Sequence, residues 1–178
     1  MKLLEHRVQA FRHFRTPFTL KFEPGVIIVE GENRDAPGAD RSNGSGKSLC
    51  CVDSLTWALF GKMPRYGDSA VGDDAAHPVA GADVTEVLQL DSGAIVHVRR
   101  TRAPKGRPTF EILGPDGTPF PVSKDASQRA DDVHALLGLD YAAFCAAVVL
   151  SGEMALARAG FAAQMTVLES VLHLAELN

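Results

Sequence analysis

The passage from Gly25 to Gly61 constrains this chain more than any other. Val26-Ile27-Ile28-Val29 is a continuous β-branched run, the pattern of a strand buried on both faces, and it ends at Gly31. After an interval with almost no large apolar residue comes Asn43-Gly44-Ser45-Gly46-Lys47-Ser48. A helix is then expected from Ser48 to Phe60. Leu49, Val52, Leu55 and Leu59 fall on one face at helical spacing, with Trp57 and Phe60 close by. Gly61 is placed to cap its C-terminus, and Pro64 lies beyond. A buried strand, a glycine-rich turn and an amphipathic helix in that order imply an α/β architecture, with the turn at a strand end.

That order is also the P-loop arrangement. Glycines let the backbone bend so that successive N–H groups point inward at phosphates. The following helix offers free N–H groups and the positive end of its dipole. Lys47 is expected to reach the β- and γ-phosphates of ATP or a closely related nucleotide, and the Ser48 hydroxyl to ligate Mg²⁺. One departure is visible. In G-x-x-x-x-G-K-[ST], counting back from Gly46 puts Arg41 where the first glycine belongs. Joining Gly31-Glu32 directly to Asn43 restores Gly-Glu-Asn-Gly-Ser-Gly-Lys-Ser, with residues 33–42 as an insertion and Gly31 as first glycine. Closure entropy grows slowly with loop length, so the insertion is tolerable. Its Asp35 and Asp40 would repel phosphates, so it is expected to swing outward. Deleting 33–42 should then preserve nucleotide binding, as read by titration.

Elsewhere the pattern is that of one domain over 1–178. Leu3–Ala10 and Phe18–Phe22 read as strands, the second by its alternation. Val84–Leu90, Ala94–Arg102 and Thr109–Leu113 read as three more, divided or followed by the turn sequences Asp91-Ser92-Gly93 and Gly114-Pro115-Asp116-Gly117. They suggest an antiparallel meander. Helices are expected near Gln128–Leu137, over the almost wholly apolar Tyr141–Leu150, and around Phe161, Met165, Leu168 and Leu172. No apolar run approaches the ~20 residues that span a bilayer, and charges interrupt the N-terminus at once, so a cytoplasmic chain with no membrane partner is expected. Cys50, Cys51 and Cys145 show no zinc spacing and read as small buried apolar groups.

The net charge of −4 excludes a generally basic nucleic-acid binder, but the field acts locally. Arg99, Arg100, Arg102, Lys105 and Arg107 form the densest basic stretch, with no acid among them. It suits a sequence-independent contact with a phosphate backbone, or a solvated hairpin. No aromatic interleaves it, which argues against base stacking.

Several of these segments together resemble a family. They are Val8-Gln9-Ala10-Phe11-Arg12-His13-Phe14, Gly25-Val26-Ile27-Ile28-Val29-Glu30-Gly31, the Asn43–Ser48 loop, and a helix ending Thr56-Trp57-Ala58-Leu59-Phe60-Gly61. They are similar to the N-terminal lobe of the SMC-like ABC ATPases, above all the SbcC-type double-strand-break repair branch with the phage recombination endonuclease large subunits. Leu136-Leu137-Gly138-Leu139-Asp140, Phe144 and Val148-Val149-Leu150 resemble the run into that family's Q-loop, and 161–178 the helix leading into its coiled coil. The resemblance implies a P-loop NTPase fold with mixed and antiparallel sheets. It implies ATP-sandwiched dimerisation of two heads, a C-terminal lobe of the same ATPase, an SbcD-type nuclease partner and double-stranded DNA. It places Arg12 near the nucleotide phosphates, against the alternative of a surface arginine. Asn43, Lys47 and Ser48 match the family's loop directly.

Two departures qualify what is implied. Where the family has its Q-loop glutamine, this chain has Ser151-Gly152-Glu153, which leaves Glu153 as a carboxylate candidate for the metal. No apolar strand ending in Asp-Glu and no Leu-Ser-Gly-Gly signature occurs; in the family both lie in the C-terminal lobe. The expectation is therefore an N-terminal half with no catalytic residue of its own, hydrolysing ATP only with that lobe supplied. A non-catalytic SMC-like nucleotide-binding regulator and a small P-loop kinase are the alternatives. The absent glutamine favours the first of these, and the meander after residue 61 counts against the second.

Overall fold

The computed structural model describes residues 1–12, 14, 16–31, 46–64, 81–122 and 126–145. Five strands form one sheet in the order β2-β1-β3-β4-β5: β1 Lys2–Gln9, β2 Phe18–Lys21, β3 Ala82–Gln89, β4 Ile95–Arg102 and β5 Thr109–Leu113. Every pairing is antiparallel. Five of the six expected strands thus appear within a residue or two of their predicted bounds. The expected mixed sheet does not appear, because among the described residues no strand runs parallel to a neighbour.

The segment behind that correction is Val26–Val29. It is not a strand here, and it is exposed: Val26 retains 92% of its accessible surface and Ile28 80%. A strand needs a neighbour for its N–H and C=O groups. No described strand lies alongside this run to supply one.

Alternation divides the sheet into two faces. His6, Val8, Val84, Glu86, Leu88, Val96, Val98, Phe110 and Ile112 are buried on the inner face. The helices cover that face. Helical winding begins at Lys47, passes through a π-wound stretch Leu49–Asp53, and continues as α1, Ser54–Phe60. The cluster of Val8, Phe11, Leu49, Trp57, Met63 and Val84 joins the start of this helix to β1 and β3. Leu59 is buried with Leu88, Val96, Val98 and Phe110. Helix α2, Ala126–Leu137, adds Val133 and Leu137 to that second cluster, and α3, Tyr141–Phe144, adds Phe144. Both helices fall where the apolar pattern placed them, although the expected Tyr141–Leu150 helix is described only to Cys145. Asp140 caps α3, its Oδ1 accepting from the Ala143 N–H at 2.7 Å. The expected helix at 161–178, the insertion 33–42 and Glu153 lie outside the described residues.

Candidate phosphate-binding site

Of the loop, Gly31, Gly46, Lys47 and Ser48 are described, while Asn43, Gly44 and Ser45 are not. Gly46 has φ of +82°, a backbone that side chains rarely adopt, and leads straight into the helix. The Cys50 N–H donates to the Gly46 carbonyl at 2.8 Å, closing the first turn. The N–H groups before it belong to the first turn of the helix, the end that carries the positive side of the dipole. Ser48 is exposed and its hydroxyl makes no capping hydrogen bond. The side-chain set therefore fits a phosphate and its Mg²⁺: an ammonium, a hydroxyl not used in capping, and a glycine turn.

Arg12 follows β1 in a left-handed backbone, φ +53°, uncommon outside glycine. Its neighbour Phe11 is fully buried and stacks against Trp57 with ring centroids 5.4 Å apart. The turn carrying Arg12 is thereby packed against the helix that follows Lys47.

The π-wound stretch has a polar anchor that the sequence reading missed. Ser54 N–H donates to the Leu49 carbonyl, one residue further back than an α-helix would use. The Cys50 carbonyl so released accepts from His6 Nε2 at 2.7 Å and from the Ser54 hydroxyl. His6 Nδ1 faces Glu86 Oε1 at 2.7 Å, and His6 and Glu86 are register partners across β1 and β3. A carbonyl only accepts, so Nε2 carries a proton, and one further proton lies between Nδ1 and Glu86. Burial pulls the His6 pKa down, but the hydrogen bond and charge of Glu86 and the Cys50 carbonyl outweigh it and the net shift is upward. Burial pushes the Glu86 carboxyl up against the opposing pull of His6. The signal was present in the sequence: Val84, Glu86 and Leu88 alternate, so Glu86 is a charge at a core position.

The basic stretch divides by the same alternation. Arg100 and Arg102 face inward and are buried. Arg100 Nε donates to the Ala58 carbonyl at 3.1 Å and Nη2 to the Leu59 carbonyl at 3.3 Å, capping the C-terminal end of α1. Its guanidinium lies over the Phe110 ring at 4.5 Å. Burial, with repulsion from Arg129, lowers its pKa to about 9. Arg99 faces outward and grips Asp83 through two hydrogen bonds of 3.0 and 2.6 Å. It lines a cleft of about 410 Å³ with Arg7, Thr19, Thr85 and His97. Lys105 and Arg107 are exposed in the β4–β5 turn. The five do not share one surface, because successive strand residues point to opposite sides.

No family model matches the chain. Two curated proteins are similar to it. They are the chromosome partition protein Smc of Mycolicibacterium paratuberculosis (strain ATCC BAA-968 / K-10) and that of Mycobacterium tuberculosis (strain ATCC 25618 / H37Rv). Each is 30% identical over 127 residues, which is 64% of this chain and 10% of the relative. The likeness is to SMC proteins, and it is distant. The chain spans about 10% of the length of the curated relatives it matches. No helix among the described residues is long and apolar enough to cross a membrane.

Proposed function

We propose that this chain is the ATP-binding N-terminal half of an SMC-like ATPase of the SbcC type, acting in DNA double-strand-break repair or recombination. In this reading ATP and Mg²⁺ bring two heads together and so regulate a partner nuclease. The observation that carries it is Gly46-Lys47-Ser48 at the entrance to a helix whose Trp57 and Leu59 are buried against the sheet. The Smc likeness supports the SMC-like part. The exposed Val26–Val29 run supports the half-head part, since a C-terminal lobe would supply strands beside it.

Lys47 neutralises the β- and γ-phosphates, the N–H groups of the helix's first turn cradle them, and Ser48 holds the metal. Arg12 approaches the same phosphates from the β1 turn. Arg99, Lys105 and Arg107, rather than the buried Arg100 and Arg102, meet a DNA backbone. Lys47→Ala should weaken binding of a fluorescent ATP analogue at least ~10-fold, the order expected from losing a charge-assisted contact. Binding by the variant equal to that of the parent would sink the proposal. ATPase activity should appear only when a C-terminal lobe is co-expressed. Binding without turnover in that complex would favour the regulator reading, for which Ser151-Gly152-Glu153 in place of a glutamine is the supporting feature.

A further inference from the structure

The three cysteines do not share one environment. Cys145 is buried, and burial raises its thiol pKa to about 11. Cys50 and Cys51 are half-buried, and their sulfurs are in contact at 3.7 Å. Adjacent helical residues diverge by ~100° around the axis, so two neighbouring thiols do not meet unless their rotamers turn toward one another. Here they meet on the π-wound turn whose Cys50 carbonyl is held by His6 and Ser54.

We propose that Cys50 and Cys51 form a dithiol site that takes a soft, thiol-seeking acceptor, of which a trivalent arsenical is the defining chemistry. Thiolate sulfur prefers soft acceptors, and two sulfurs in contact supply both bonds without moving the backbone. A disulfide is the poorer product. It needs the sulfurs at ~2.05 Å and Cα atoms usually at least ~4.4 Å apart, whereas a trans peptide holds adjacent Cα atoms at ~3.8 Å. Two further features favour capture. The hydrogen bond with Cys50, and after it the charge of His6, lowers the Cys51 pKa to about 7, so the first attack has a ready thiolate. Among the described residues no group of three or more His, Cys, Asp or Glu could hold a metal ion, so none of them joins the pair in a larger metal centre.

With an organoarsenic oxide the step balances without redox change. Two S–As bonds form, the arsenic–oxygen bond breaks, and the oxygen leaves as water with the two thiol protons. The inference concerns the thiols alone and stands whether or not the chain binds ATP.

Phenylarsine oxide on the reduced full chain tests it. Intact mass should show one adduct per chain, minus one water, and peptide mapping should place it on the Cys50-Cys51 peptide. The adduct should survive a tenfold excess of monothiol and be removed by 2,3-dimercaptopropanol. In Cys50→Ser and in Cys51→Ser the monothiol should strip it, and in Cys145→Ser nothing should change. The wild-type thermal midpoint should rise on capture, because a preformed native site is being filled. An adduct that maps to Cys145, one that monothiol strips from the wild type, or a midpoint that falls on capture would each overturn the site. The mapping and the midpoint use wild-type protein, so they decide the matter even where a serine variant fails to fold.

Discussion

Arg100 and Arg99 are adjacent in sequence, yet one closes the end of a helix and the other faces solvent. Arg100→Ala removes the donors that satisfy the Ala58 and Leu59 carbonyls and the ring contact with Phe110. Hydrogen bonds from a charged donor and buried packing together put the cost at about 3 kcal/mol, measurable as a lower urea midpoint. Gly81 is more restrictive still. Its φ is +77°, and a Cβ there would lie 2.2 Å from the Arg102 carbonyl oxygen. Gly81→Ala must shift the backbone between β3 and the end of β4, and it should cost at least ~2 kcal/mol in thermal or urea unfolding.

The His6–Glu86 pair gives the stability a sign in pH. Both groups have folded pKa values above their ordinary ones, so the native state binds more protons than the unfolded chain. Stability therefore falls as pH rises. The histidine contribution is complete below its ordinary 6.5 and is lost as pH climbs through the raised folded value. The urea midpoint of the wild type should decline from neutral toward mildly alkaline pH, and Glu86→Gln should flatten that decline. The variant should also be less stable near neutrality, by about 3 kcal/mol, the order expected when a buried pair loses one partner. An unchanged pH slope in the variant would show that the pair does not titrate as described.

At the scale of elements, the run Val26–Val29 and the helix after Lys47 behave oppositely. The helix meets both its needs inside the chain: Trp57 and Leu59 find apolar partners, and Gly61 and Arg100 close its end. The β-branched run has the composition of a buried strand but is exposed. An exposed apolar segment of high strand propensity is an association hazard. The double change Val26→Lys with Ile28→Lys should reduce self-association, seen as a lower weight-average mass in sedimentation. It should leave the unfolding midpoint nearly unchanged, because neither side chain is buried. A large loss of stability would mean that the run packs within the single chain after all.

For the whole molecule, the sheet presents its inner face to the helices and its outer face to solvent. Arg7, His97 and Arg99 lie on that outer side, and Lys105 and Arg107 on the turn joining β4 to β5. Binding of double-stranded DNA, if it uses these groups, must weaken steeply with salt. Lys105→Ala with Arg107→Ala should reduce both the affinity in a fluorescence-anisotropy titration and the slope of log affinity against log salt. A salt-independent affinity would remove DNA-backbone contact from this surface.

Much of the local structure was legible in the chain. Alternation located β2, turn sequences set off β3, β4 and β5, helical spacing located the helix after Lys47, and the order of glycine, lysine and serine pointed to phosphate. These signals are short-range: a period of two or of 3.6, and a turn chemistry, need only neighbouring residues. What the chain could not disclose was which partners wait for a side chain that faces the core. The tertiary structure alone sent Arg100 inward to a helix end and set His6 against Glu86 beneath the π-wound turn. It also left Val26–Val29 exposed despite its core composition. The physical reason is the same in each case. A side chain's charge, hydrogen bonds and burial depend on groups tens of residues away, and only closure of the sheet brings those groups within reach.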